Sequence, residues 1–354
     1  MEVTAPAQYD AWKARDLPPV EQVRDGIFSI PTPMPGLGLR YVLVYAFALP
    51  DGVAVVDSGW HTDEAWDALV DGLASIGYEP RHIRAMLATH IHSDHYGLAG
   101  RIREASGAWI GLHGADAAMS PESQDADRNM RDRLQHWRET RQRMGMPITR
   151  PAREEGAEPG PSTPQWQDIQ RIRPDVLIAD GDVVELPGWR LRAIWTPGHS
   201  PGHLCFHEES TDVLLAGDHV LPKISPNIAV HSHQSPNPLG DYLESLAMIA
   251  KVDVGEVLPA HEYRYVGLAD RAGELIGHHH ERLAEIETLT DATPGLTTWQ
   301  LTETLTWSRP LHTQPPALKR TAAKEILAHL IMLEGQGRVH RVAGVPEHWY
   351  LGEA

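Results

Sequence analysis

Cysteine is almost missing from this sequence. Cys205 is the single thiol in 354 residues, so neither an intrachain disulfide framework nor a zinc site built on several thiolates is available. Positive charge is also scarce. Thirty-one Lys and Arg face 48 Asp and Glu, a net charge of −17, which excludes a chain whose whole surface grips nucleic acid but leaves room for a local basic patch. Long apolar runs are absent too: the longest, Tyr41–Leu49, is far short of a membrane span and reads as a buried strand. The first twenty residues lack the basic start, apolar middle and small-residue cleavage site of an export signal. Together these absences set the expectation of a reducing, cytoplasmic home and no membrane partner. What is plentiful is histidine, at 21 copies. Imidazole is the commonest metal ligand and titrates near neutrality, but a count does not separate ligands from surface residues.

The pattern along the chain predicts an α/β domain over 26–265, preceded by an N-terminal extension (1–25) and followed by a smaller module (266–354). Val53-Ala-Val-Val-Asp57 reads as a short strand, and Thr62 as the N-cap of a helix in which Ala65, Leu69, Leu73 and Ile76 recur at helical spacing. A strand at 83–88 leads through Thr89-His90 into a helix at 94–105 and a strand at 109–112. Residues 114–175 break the pattern. A polar helix fits 126–144 and a Pro- and Gly-rich loop fits 147–165, so the segment reads as an insertion, either a lid or a disordered stretch. Strands return at 182–186, Trp189–Trp195, 203–207, Val213–Gly217 and Glu256–Pro259, with a helix at 239–250. The C-terminal module reads as helices at 268–289 and 318–334 and a strand at 338–342, the outline of a small winged helix.

Chemistry concentrates in Thr89-His90-Ile91-His92-Ser93-Asp94-His95, where a buried strand gives way to a helix. Alternate positions at a strand end point the same way, so His90 and His92 are expected to reach one ion together. Asp94 and His95 then open the helix and can turn toward a second. Four N/O donors within six residues suit a borderline divalent cation such as zinc. Other strands end in similar residues: Thr196-Pro-Gly-His199, Gly217-Asp218-His219 and Pro259-Ala-His261. Each is weak alone. Together they bring two more imidazoles and one carboxylate, able to bridge two cations, to the same edge.

This His-x-His-x-Asp-His motif, followed by Thr-Pro-Gly-His, Gly-Asp and a late His, resembles the metallo-β-lactamase superfamily over about residues 26–265. The resemblance implies an αββα four-layer sandwich with a small C-terminal helical, winged-helix-like module. It also implies that His90, His92 and His199 hold a first metal and Asp94, His95 and His261 a second, with Asp218 bridging them. Asp57 would orient the ligands or the motif loop from behind. The cofactor expectation is two divalent ions, zinc foremost, with iron and manganese also compatible. In that reading a metal-bridging hydroxide, oriented by Asp94, attacks an ester-like centre and no serine or cysteine nucleophile is needed. Cys205 reads as a small buried hydrophobe.

A bridging Asp218 and a cysteine outside the ligand positions point away from a typical β-lactamase and toward the glyoxalase II-like branch of thioesterases and lactonases. The expected activity is hydrolysis of a small-molecule thioester, lactone or carboxylic ester. Two alternatives stay open. Arg309, Lys319, Arg320, Lys324, Arg338 and Arg341 against Glu325 and Glu334 give the tail a local charge of +4, which would suit a nuclease or phosphodiesterase. The chain could instead be a non-enzymatic, metal-stabilised binding module or form a homodimer through that tail. His219, Asn227, His231, His233 and Tyr263 follow ligand-bearing turns and are candidates for the substrate pocket. The run His278-His279-His280 is expected on a helix surface.

Overall fold

The computed structural model describes residues 1–35, 38–119, 126–147, 172–231 and 234–352, with side chains of the helix at 126–143 described from residue 135 onward. The chain starts with β1 (Glu2–Val3) and α1 (Pro6–Ala14). A seven-stranded sheet follows: β2 (Glu21–Arg24), β3 (Ile27–Pro33), β4 (Tyr41–Leu49), β5 (Gly52–Val56), β6 (Ile83–Leu87), β7 (Trp109–His113) and β8 (Val176–Ile178), adjacent in sequence order. Its strands are antiparallel from β2 to β5 and parallel from β5 to β8. The helices of this half are α2 (Asp63–Ser75), α3 (Ser93–Tyr96), α4 (Ala99–Ser106), α5 (Gly114–Ala117) and α6 (Ala126–Arg143). Thr62 caps α2 by accepting a hydrogen bond from the Ala65 amide, and Asp63 and Glu64 in the first turn suit its positive end.

The second sheet takes β9 (Val183–Leu186), β10 (Trp189–Trp195), β11 (Leu204–Glu208), β12 (Val213–Gly217), β13 (Glu256–Pro259) and β14 (Tyr265–Val266), with β1 on the outer edge of β14. α7 (Pro238–Ile249) joins β12 to β13, its parallel neighbour. Then come α8 (Leu268–Ala292), α9 (Thr298–Thr304), α10 (Pro316–Gly335) and the hairpin β15 (Val339–Val342) with β16 (His348–Leu351).

Alternation along the strands builds the layers. In β4, Leu43, Tyr45 and Phe47 meet Leu204, Phe206 and Leu215 of the second sheet, while Val42, Val44 and Ala46 pack with Leu69 and Leu73 of α2. On the far side, Leu214, Ala216 and Val257 pack with Leu246, Leu275 and Ile326 of α7, α8 and α10. The result is helix on sheet on sheet on helix, the four-layer sandwich expected from the sequence.

Several local expectations are corrected. The helix predicted over 94–105 is two helices, α3 and α4, divided at Gly97-Leu98. A Cβ on Gly97 would lie 2.2 Å from Ser93 O and 2.6 Å from Gly59 O, so only glycine lets the end of α3 pass this close to the loop at 59–61, and the backbone leaves the helical conformation at Leu98 (ψ 4°). His279 is not a surface residue: it is fully buried where α8 packs on α7 and α10, while His278 and His280 stay exposed. Three consecutive helical residues span most of a turn, so one of them must face inward. The predicted loop from residue 148 on, and residues 120–125 and 148–171 of the proposed insertion, lie outside the described residues. The described end of α6 docks on the C-terminal module, where Trp299 N donates to Met144 O (2.9 Å) and Met144 and Met146 are buried. The N-terminal extension ties the two sheets together: Thr4 bonds Glu256, and Gln8 bonds Ser29 (3.1 Å).

Candidate metal centre

The strand ends of both sheets meet at one edge. Backbone bonds from Leu43 N to Ala260 O (2.7 Å) and from Leu204 N to Thr89 O (2.8 Å) lace the sheets together there. β6 stops at Leu87, so residues 88–92 form a loop rather than a strand end. His90 and His92 therefore converge by loop geometry, not by strand alternation, with His90 Nε2 and His92 Nδ1 2.9 Å apart. His92 precedes α3, whose Asp94 and His95 turn inward from its first turn.

Three groups of donor atoms result: His90, His92 and His199; His90, His95 and Asp218; and Asp94, His95 and His261. Within each group the atoms lie within 4.8 Å of one another. Asp218 spreads its oxygens between the first and last of these. Its Oδ2 lies 3.4 Å from His199 Nε2, and its Oδ1 lies 3.5 Å from His95 Nε2 and 3.2 Å from His261 Nε2. Asp94 Oδ2 faces His95 Nε2 at 3.4 Å and His261 Nε2 at 3.3 Å.

The outer nitrogens fix the inner ones. Nδ1 of His95 donates to Asp57 Oδ2 (2.8 Å), Nδ1 of His199 to Asn227 O (3.0 Å) and Nδ1 of His261 to Tyr41 O (2.8 Å). Each ring thus turns a bare Nε2 inward, the tautomer a cation needs. Those three Nε2 atoms and Asp218 Oδ1 are buried without a hydrogen-bond partner. Four orphaned donor atoms at one place cost too much to leave unsatisfied, so this donor set fits divalent cations.

The electrostatics agree. Burial and the neighbouring imidazoles drive His90 well below the ordinary histidine range, and burial with His199 pushes His92 to about 3. Burial acts the same way on His95 and His261, yet carboxylates overturn it. Asp94, Asp57 and Asp218 hold His95 well above its usual value, and Asp218 with Asp94 holds His261 at about 10. Burial likewise opposes ionisation of Asp94 and Asp218, but the adjacent imidazoles keep both well below the usual carboxylate range. Surplus negative charge buried among imidazoles is satisfied by protons or, better, by a divalent cation.

Asp57 lies behind His95, on the far side of its ring from Asp94 and Asp218. It sits at φ 64°, a left-handed conformation that Asp tolerates better than most residues, and its Oδ1 also accepts from the Thr89 amide (2.8 Å). Other supports were not foreseen. Buried Asp116 accepts from Ile91 N (2.9 Å), Ser200 Oγ (2.9 Å) and Gly202 N (2.7 Å), clamping the 90–95 loop to the 199 loop, and burial raises its carboxyl to about 6. His203 bonds Thr196 Oγ1 through Nδ1 (2.8 Å) and accepts from the Asp218 amide through Nε2 (3.1 Å). Asp116 lies three residues past the end of β7, and a search of that strand end, like those of β5 and β6, finds it. Gly198 is needed for close approach: at φ +136° its Cβ would meet Tyr242 at 2.4 Å.

The pocket candidates separate. Asn227 touches the ligand set through its carbonyl, and its buried Oδ1 is unpartnered. His219 is buried edge-on against Tyr242, among core rings, and burial lowers it to about 3. Tyr263 packs edge-on against Tyr9 and Trp12 at 5.0 and 5.3 Å. His231 is exposed, and His233 lies outside the described residues. Cys205 is fully buried on β11, and burial pushes its thiol to about 12, unsuited to nucleophilic work.

Comparison with known proteins agrees with this geometry. Lactamase-like protein aptB of Emericella nidulans is 33% identical over 121 residues, which span 33% of this chain and 37% of that protein. Acyl-coenzyme A thioesterase MBLAC2 of Gallus gallus is 29% identical over 193 residues, spanning 52% of this chain and 58% of that protein. The chain thus matches little more than a third to just over half the length of these relatives. The crystal structure of a metallo-beta-lactamase family protein from Thermus thermophilus is 30% identical, with a TM-score of 0.78, covering 93% of this chain and 100% of that one. That coverage is too complete to leave out the C-terminal module, so the likeness extends past residue 265. The sequence profile of the metallo-beta-lactamase superfamily matches residues 37–261, and the chain belongs to that superfamily.

Proposed function

We propose that the protein is a hydrolase working with two divalent cations, zinc foremost, on a small ester-like substrate: a thioester, lactone or carboxylic ester. The observation that carries this reading is the convergence of five imidazoles and two carboxylates on one sheet edge, with Asp218 offering one oxygen to each side. His90, His92 and His199 would hold the first ion, Asp94, His95 and His261 the second. Bound there, the cations would supply Lewis acidity, making a water nucleophilic near neutral pH and polarising the carbonyl oxygen.

The chain's own residues do the rest. Asp57, Tyr41 O and Asn227 O hold His95, His261 and His199 with their Nε2 atoms inward. The Asp94 carboxylate, facing His95 and His261, is placed to accept a hydrogen bond from the attacking water and aim it. Asp116 keeps the two ligand loops in register, so donors from separate strands arrive preorganised. The bridging Asp218 and the helical C-terminal module support placement in a glyoxalase II-like branch with a winged-helix-like tail rather than among typical β-lactamases. The thioesterase name carried by the Gallus gallus relative supports the thioester among the three substrates, and the lone buried thiol suits a reducing, cytoplasmic setting.

The test is metal analysis coupled to a hydrolase panel of thioesters, lactones, phosphodiesters and β-lactams. Two equivalents of metal and chelator-sensitive turnover of an ester or thioester are expected. A protein without stoichiometric metal, or one that cleaves only phosphodiesters, overturns the reading.

A further inference from the structure

Between Gly217, where β12 ends, and Pro238, where α7 begins, the described residues form neither helix nor strand. A backbone with no ladder of its own has to find other partners. Here buried side chains supply them. Tyr242 Oη donates to His219 O (2.9 Å) and Tyr265 Oη to Val220 O (2.9 Å). Arg271 Nε donates to Leu221 O (2.7 Å), and Arg271 Nη2 to both Lys223 O and Ile224 O (3.0 Å each). From the other side Glu262 Oε2 accepts from the amides of Lys223 (2.7 Å) and Ile224 (3.3 Å). Tyr242, Tyr265, Glu262 and Arg271 are all buried.

Arg271, in the first turns of α8, holds the most. Two nitrogens of its guanidinium serve three carbonyls while the third, Nη1, pairs with Glu274 (2.8 Å), a reach that the fork of an arginine has and a lone ammonium lacks. What it grips lies between two parts of the metal centre. Asp218, the carboxylate facing His95, His199 and His261, comes three residues before Leu221. Asn227, whose carbonyl accepts from His199 Nδ1 (3.0 Å), comes three residues after Ile224. The other rings are held from the first sheet: Asp57, just past β5, supports His95, and Tyr41 of β4 supports His261. The fastening of His199 instead runs back, through the turn at 221–224, to a helix of the C-terminal module, which supplies none of the donor atoms itself.

We infer that Arg271 is a positioning residue for the first metal site: by pinning residues 221–224 it keeps the Asn227 carbonyl behind His199 and Asp218 at the bridge, which makes α8 part of the metal centre. This rests on the two-cation reading above, though not on any choice of substrate. Without Arg271, three carbonyls lose their donor and turn toward water. Asn227 O is then no longer fixed, and the His199 ring is free to rotate or to carry its proton on Nε2, the nitrogen a cation needs bare. The effect falls on the site built with His199 and much less on the one built with His95 and His261.

The experiment titrates the metal-free full chain with zinc against a competing chelator, which reads affinity and not turnover. Wild type should bind two ions. In R271A the first site should weaken by about 10–100-fold, the loss typical when a ligand's orienting partner is removed, while circular dichroism stays native. Two single-site backgrounds assign the loss. R271A should weaken zinc strongly in His261→Ala protein, which keeps the first site, and only slightly in His92→Ala protein, which keeps the second. Where R271A does not fold, R271K is read in its place: one ammonium does not span three carbonyls, so the same site should weaken, by less. R282A is the control, since Arg282 lies on the same helix but bonds Glu285 (2.6 Å) and Thr306 O (2.8 Å), and its zinc affinities should equal those of wild type. Ethylguanidinium, filling the space left in R271A, should recover part of the lost affinity, which a general loosening of the fold would not allow. Wild-type affinity at the first site in whichever Arg271 variant folds, or a loss as large in His92→Ala as in His261→Ala protein, overturns the positioning role and leaves the two-cation reading standing. A wild-type chain that binds no zinc overturns both.

Discussion

The molecule buries two clusters of histidine, and two rings of the first, His95 and His261, behave oppositely to both rings of the second. At the sheet edge, His95 and His261 face Asp94 and Asp218, and the carboxylates hold both imidazoles above their ordinary value. Between α8 and α10, His329 Nδ1 donates to Glu325 O (2.8 Å), so its Nε2 accepts from His279 Nδ1 (3.1 Å), and His279 Nε2 is left buried and bare. No ion pair with a carboxylate reaches either ring among the described residues. Burial accordingly pushes His279 down to about 2 and His329 to about 4. The same side chain, equally buried, holds a proton at one place and refuses it at the other. What decides is whether a carboxylate was buried with it.

Breaking the carboxylate at the first cluster gives the largest effect. Asp218→Asn keeps the shape but removes the charge shared by His95, His199 and His261. Because ligand-orienting partners alone are worth about 10–100-fold, turnover should fall by more than about a hundredfold. Circular dichroism should stay native; full activity in this variant would contradict the bridging role.

Asp57→Asn reaches the same cluster from behind. Metal affinity, measured by competition with a chelator, is expected to drop by about 10–100-fold as His95 loses the acceptor that fixes its tautomer.

The second cluster is tested by acid. His279 and His329 have lowered values in the fold, so the stability they allow is present above 6.5 and is lost as the unfolded chain, but not the folded one, takes up protons. The loss runs from pH 6.5 down through about 4 for His329 and about 2 for His279. At pH 5 each ring should disfavour the fold by about 2 kcal/mol. His279→Leu/His329→Leu should flatten the denaturant midpoint against pH over that range. In metal-free protein His261 has the opposite sign: its contribution is full below 6.5 and is lost as pH rises through about 10. The smallest change belongs to exposed His280, the sequence neighbour of His279. His280→Ala should shift stability by no more than about 0.5 kcal/mol in urea unfolding.

The comparison also shows what could be read along the chain. Wherever a signal was local it was legible. The apolar run of β4, the Thr62 cap and the strand ends leading into Thr196–His199 and Gly217-Asp218 all lie where spacing and turn chemistry put them, while Thr89-His90 falls in the loop after β6. The break between α3 and α4 at Leu98 was not legible, because the close approach of Gly97 to Gly59 that accompanies it is not local. His203 and Asp116 escaped notice because a lone polar residue acquires its role only from the loops packed against it. His279 was misplaced because helical periodicity tells which residues share a face, not which face another helix will cover.

By itself, then, the sequence determined many of the central strands and helices and the ligand motif, since these follow from side-chain spacing of two or 3.6 residues and from strand-end chemistry, but not β2, β3, β8 or the order of strands in either sheet. Tertiary structure alone decided the rest. It paired Asp57 with His95 across 38 positions, sealed His279 against His329 across 50, and hung the turn at 221–224 on Arg271 of α8. Charge and burial act through space, and an imidazole's readiness for a cation depends on neighbours that distance along the chain does not record.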